Sequence, residues 1–141
     1  MNSFAIHLLR SMRPVDAESG LTPARLSALS VIHFGGPLAL GRLARVEGVS
    51  SPTMSRVVDA LCDQGLAERR PHDVNGRVTL VAPTRAGSAV MRRAAGRRAD
   101  VIAEALAALP VRQRDSLVRA SAHFPALVAG VRDAVGLSRT G

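Results

Sequence analysis

Between Leu38 and Gly87 the hydrophobic period of the chain changes from helical to extended and back, and each change falls on turn-forming residues. Few folds accept that pattern. Leu40, Leu43, Ala44 and Val46 give the stretch from Leu38 to Glu47 one apolar helical face. Gly48-Val49-Ser50 is a tight connector, and Ser51-Pro52 reads as a helix cap followed by a first-turn proline. The helix that follows runs to about Gln64 with Met54, Val57, Val58 and Leu61 on one side, and Gly65 closes it. Leu66–Arg70 and Arg77–Ala82 are then short extended segments around Asn75-Gly76, a strong hairpin dipeptide. Two short helices joined by a glycine-containing, three-residue connector form a helix-turn-helix, and the hairpin adds a wing.

The flanks read as helices. Phe4, Leu8 and Met12 recur every four residues, and Pro14 is expected to end that helix before a loop over 15–20. Thr22-Pro23 opens a second helix with Leu26, Leu29, Val31, Ile32 and Phe34 on its apolar face, and Gly35-Gly36 closes it. Thr84 begins a long helix to about Leu109. A last helix covers about 111–135, where Pro125 predicts a break near Phe124. The expected fold class is mainly α with a small β-wing: a winged helix-turn-helix domain with added N- and C-terminal helices.

Composition narrows the chemistry. The net charge is +8, and all 19 basic residues are arginine. Without lysine there is no phosphate-loop lysine and no Schiff-base chemistry. One cysteine excludes a disulfide framework and a Cys-rich zinc site. Three Phe and no Trp or Tyr exclude a row of base-stacking platforms and require an aliphatic core. No nucleophile–base pair, metal-ligand spacing or paired carboxylates appear, so neither an enzyme nor a cofactor is expected. No apolar run is long enough to span a membrane, and Met1–Pro14 lacks a basic leader, so the expected location is cytoplasmic.

A basic balance invites a polyanion, but position matters more than total. The second helix of a helix-turn-helix enters the major groove, its N-terminal residues reaching base edges. With Met54, Val58 and Leu61 inward, Pro52, Thr53, Arg56 and Asp59 lie on the opposite side. Arg56 suits guanine O6 and N7. Thr53 suits a base or phosphate, and Ser51 and Ser55 suit phosphate. Double-stranded DNA is therefore the expected partner. The competing reading is a packed helical hairpin whose outer face is merely solvated.

The run from Leu26 to Gly87, with SSPTMSRVVDALCDQGLAERR at its centre and Thr84-x-x-Gly87 at its end, resembles the MarR family of bacterial transcription regulators. The resemblance covers about residues 20–135. It implies a homodimer that binds a palindromic operator, most often a repressor released by a small apolar or aromatic ligand. It groups 1–20 with 110–141 as dimerisation helices, places the DNA-binding domain at 21–87 and makes 84–109 a linking helix. It adds Arg70, Asn75 and Arg77 to the DNA-binding set, with Arg77 in the minor groove. The family's Asp-Arg-Arg wing triplet stands here as Asn75-Gly76-Arg77, so the residue that supports the wing arginine has lost its charge. Phe4, Leu8, Phe124, Leu127, Val128 and Val131 become dimer-interface residues. His33, and His7 near it, become candidates for the effector pocket, against the reading of both as ordinary satisfied or solvated histidines.

Other features carry a bland reading beside a functional one. Cys62, on the second helix of the pair, reads as a structural thiol, with a redox effect on DNA binding as the alternative. Arg92, Arg93, Arg97 and Arg98 form a basic helix face, either solvated or steering phosphate. Two rival functions remain at this level: an architectural DNA-binding protein without an effector, and a protein–protein interaction module.

Overall fold

The computed structural model describes residues 2–71 and 79–134. Seven helices and three strands occur among them: α1 (Asn2–Ala17), α2 (Pro23–Gly35), β1 (Leu38–Ala39), α3 (Leu40–Glu47), α4 (Ser51–Asp63), β2 (Ala67–Pro71), β3 (Thr79–Pro83), α5 (Arg85–Ala107), α6 (Val111–Ser121) and α7 (Phe124–Ala134). The fold is mainly helical with a small antiparallel sheet, as the sequence patterning leads one to expect. The chain divides into two compact units, Met1–Arg98 and Ala99–Gly141.

The first unit holds the core, which is wholly aliphatic. Leu26, Leu29 and Ile32 of α2 meet Leu43 of α3, Met54, Val58 and Leu61 of α4, Val81 of β3 and Met91 of α5. All three Phe lie outside it: Phe4, Phe34 and Phe124 are exposed. Phe34, which helical spacing groups with the apolar face of α2, instead stands at the helix end against the edge of the His33 ring, centroids 4.7 Å apart.

Strand β3 is central in the order β1-β3-β2. Leu38 pairs with Val81, and Ala67 to Pro71 run antiparallel against Pro83 to Thr79. Only Ala67 of β2 is buried, so this strand leaves the body as it runs towards the wing tip. Residues 38–39 do not start α3 as their composition suggests. Their backbone groups bond β3 instead, and the helix begins at Leu40.

Pro14 does not end α1, which continues to Ala17. Proline removes one donor and crowds the carbonyl four residues earlier. Both Pro14 and Arg10 are exposed, so the freed carbonyl can turn to solvent. The last turn and the residue after it are held from outside. Asp16 Oδ1 accepts from Arg98 Nε at 2.6 Å, and Glu18 pairs with Arg97.

One junction joins α4, the sheet and α5. Leu66 N donates to Leu61 O at 2.8 Å, and Thr84 N donates to Leu66 O at 3.1 Å. The Thr84 hydroxyl donates to Gly65 O at 2.6 Å and accepts from Gly87 N at 3.0 Å, which caps α5. Gly87 is buried against this turn. A Cβ there would drive into the Leu66 carbonyl oxygen and come within 3.2 Å of Leu29 Cδ1.

In the second unit α6 and α7 are separated at Ala122-His123. Pro125 takes the second position of α7, where no intrahelical N–H is required. The expected break near Phe124 is thus present. No described residue of this unit is buried.

Gly87→Ala should lower stability by about 2–3 kcal/mol, because the added methyl meets backbone rather than a mobile side chain. Urea unfolding should show a lower midpoint with an unchanged slope.

Candidate nucleic-acid interface

Helices α3 and α4 are set at their angle by the connector. Gly48 adopts φ +67°, the left-handed region where a Cβ is strained. Its N–H reaches the carbonyls of Ala44 and Arg45, and Val49 N donates to Ala44 O at 3.0 Å. The cap of α4 is Ser50, one residue earlier than the Ser51-Pro52 signal suggests. Ser50 Oγ accepts from Thr53 N at 3.3 Å and lies 2.9 Å from Thr53 Oγ1. Ser51 and Pro52 therefore occupy the first two helical positions.

The two faces of α4 separate as helical geometry requires. Met54, Val58 and Leu61 are buried in the core. Ser51, Pro52, Thr53, Arg56 and Asp59 are exposed, and Ser55 is half-buried. None of the ion pairs among the described residues uses Arg56. An arginine outside the ion pairs of the described residues, on the exposed face of a helix locked from behind, presents its donor fork to solvent.

The other polar candidates are differently placed. Thr53 is engaged with its own cap. Ser55 Oγ donates to Asp59 Oδ2 at 3.4 Å. Arg70 pairs along its own strand with Glu68, Nε to Oε1 at 2.6 Å. Asn75 and Arg77 lie outside the described residues. Sequence reasoning missed the ion pair between Arg69 Nη2 and Asp59 Oδ1, 2.6 Å, which ties β2 to α4. Their opposite charges were visible, but only the Gly65 turn and the strand register bring them together.

Cys62 lies one turn beyond Asp59 and packs against the core. Burial pushes its thiol above the ordinary range. Arg69 opposes that shift, and Asp59, Asp63 and Glu68 add to it. On α5 the basic face is divided: Arg98 is paired with Asp16 of α1 and Arg97 with Glu18 just beyond it, whereas Arg92 and Arg93 are exposed and enter no ion pair among the described residues.

A cavity of about 500 Å³ lies between α1 and α2, with Arg98 of α5 reaching its wall. Leu9, Leu26 and Val31 give it an apolar wall, and Arg13, Asp16 and Arg98 give it charge. Neither His7 nor His33 is in this lining. His7 is exposed, and His33 is half-buried beside Phe34. Among the described residues no three His, Cys, Asp or Glu side chains are grouped to hold a metal ion. No described helix is long and apolar enough to cross a membrane.

A helix-turn-helix locked onto an aliphatic core, followed by an antiparallel wing and a long helix, defines a winged-helix DNA-binding regulator. The comparisons carry this further. The MarR family model matches residues 19–78. A helix-turn-helix transcriptional regulator of Mycobacterium bovis is 35% identical over 123 residues, 87% of this chain and 86% of the relative. A MarR family protein from Bacillus stearothermophilus superposes with a TM-score of 0.76 at 17% identity, over 90% of this chain and 89% of that one. NadR, solved in complex with 4-hydroxyphenylacetate, gives a TM-score of 0.65 at 16% identity, over 86% of each chain. The protein belongs to the MarR family of transcription regulators.

The Cys62 thiol should stay protonated at neutral pH. Its alkylation by iodoacetamide should be slower than that of a free cysteine, and should accelerate on unfolding or at pH above the usual thiol range. Fast labelling of the folded protein at pH 7 would identify a reactive cysteine instead.

Proposed function

We propose that this regulator acts as a homodimeric repressor, reading a near-palindromic operator through α4 and the wing and released by a small ligand. The observation that carries the DNA reading is Arg56. It stands exposed on the outer face of α4 and outside the ion pairs among the described residues, while Met54, Val58 and Leu61 fix that helix from behind. Ser51 and Pro52 place the first turn of α4 towards phosphate, where backbone N–H groups favour an anion. Arg77 and Asn75 lie outside the described residues; by the family pattern of the wing Arg77 is assigned to the minor groove of the flanking duplex and Asn75 to the DNA-binding set. Arg70 reaches phosphate only by leaving Glu68.

The homodimer is supported by apolar surface that a single chain leaves uncovered. Phe4 and Leu9 on α1 are each 70% exposed, and Leu8 also reaches solvent. Phe124, Leu127, Val128 and Val131 line α7 with more than half of each side chain exposed. None of the described residues of the second unit is buried, and an apolar patch of that extent marks an interaction surface. A twofold pair would set two α4 helices about 34–36 Å apart, one turn of DNA.

The ligand reading is supported by the cavity between α1 and α2, whose apolar wall and paired charges suit a small organic acid. The ligand bound in NadR, 4-hydroxyphenylacetate, is of that kind. A ligand there can shift the dimer only through different affinity for its DNA-competent and incompetent forms.

Two measurements test the proposal. Arg56→Ala should weaken operator binding by about 1–3 kcal/mol and relax preference at one base position. A uniform loss over all sequences would make Arg56 a phosphate contact. Leu127→Asp combined with Val131→Asp should convert a dimer to monomer in sedimentation velocity and abolish operator retention against excess random duplex. A wild-type monomer, or equal retention on random duplex, would overturn the operator-specific dimer.

A further inference from the structure

Asp59 places a carboxylate on the exposed face of α4, one turn beyond Arg56. An unpaired carboxylate there would repel a polyanion. It is not unpaired. Oδ1 takes the Arg69 guanidinium at 2.6 Å, and Oδ2 accepts from the Ser55 hydroxyl at 3.4 Å. Arginine and serine are the residue types that otherwise go to phosphate, and both are turned to this one side chain. The ion pair is open to solvent, with Arg69 37% and Asp59 53% exposed. An exposed pair of this kind adds little stability, so breaking it costs little in itself; the carboxylate it leaves facing the duplex is a cost that only a fully seated α4 repays. A guanidinium–phosphate contact is charge-assisted and often bidentate.

We propose that Asp59 is a specificity-setting positioning residue: it withholds Arg69 from phosphate in the DNA-free protein. Arg69 exchanges Asp59 for a DNA phosphate only when α4 is seated in the groove. Loosely held, non-operator duplex therefore meets one guanidinium fewer. Specificity arises as a penalty on the wrong partner as well as a gain from the right one. The same pair ties β2 to α4, so the exchange also frees the base of the wing to adjust as the duplex seats. This inference rests on α4 being the DNA-facing helix.

The test uses the full chain and two fluorescent duplexes, one carrying the operator selected by the protein and one of random sequence. Affinity is measured by anisotropy over a range of salt concentrations. Asp59→Asn should bind random duplex several-fold more tightly, with the log–log salt dependence steeper by about one phosphate equivalent. Its operator-to-random ratio should fall. Asp59→Ser should reproduce both changes, which guards against a local effect of the Asn side chain. Arg69→Gln should weaken binding to both duplexes by leaving Asp59 uncompensated. Adding Asp59→Asn to Arg69→Gln should restore affinity for random duplex, leave operator binding weaker than wild type, and not steepen the salt dependence beyond wild type. A purely structural pair would change the melting temperature and leave the salt slope alone, which overturns the proposal. A changed preference at one base pair with an unchanged slope also overturns it, because Asp59 would then accept from a cytosine amino group. Wild-type protein that binds neither duplex would overturn the DNA-facing reading of α4, and this inference with it.

Discussion

The turn at Gly65-Leu66 is the joint on which the DNA-binding unit depends. Leu66 N closes the end of α4, its carbonyl takes the N–H of Thr84, and the Thr84 hydroxyl holds Gly65 O while capping α5. Recognition helix, sheet and long helix thus share hydrogen bonds within a few ångströms. Gly87 permits the approach, since any side chain would displace the Leu66 carbonyl. Because closely packed backbone shifts in discrete steps rather than bending smoothly, a disturbance in α5 reaches α4 here.

The aliphatic core has a second consequence. With no Trp or Tyr and three Phe, the chain has little large apolar surface to spare, yet all three Phe are exposed. The first unit closes without them, using Leu, Ile, Val and Met from five elements. Among the described residues of the second unit none is buried. Burial of apolar area contributes about 25 cal/mol per Å², so exposed aliphatic helices on this scale are a surface awaiting cover.

The elements that carried a complete local signal were legible in the sequence. Thr22-Pro23, Gly48 and Gly65 each combine a backbone requirement with the residue that meets it, and each turn lies where the pattern puts it. The break at Pro125 followed from the same logic. What was not legible depended on contacts between distant residues. Pro14 fails to end α1 because its surroundings are solvent and the helix end is pinned by α5. Strand β1 exists only because β3 offers two residues of edge. The candidate site divides likewise: the outward position of Arg56 follows from helical period alone. The engagement of Ser55, Arg69 and Arg70 needed the fold.

That division changes what the charge of +8 means. Arg69, Arg70, Arg97, Arg98 and Arg114 all stand in ion pairs. Two of these pairs position α1 and one braces the wing. A guanidinium in such a pair still adds to the long-range field that draws DNA in, because field depends on net charge. It does not add a contact until it exchanges its carboxylate. A paired arginine and an exposed one outside these pairs therefore differ in the contacts they can make at once, not in the field they add. The absence of lysine suits contact more than field: a planar fork can leave a carboxylate for a phosphate with its geometry intact, since the two acceptors present similar pairs of oxygens.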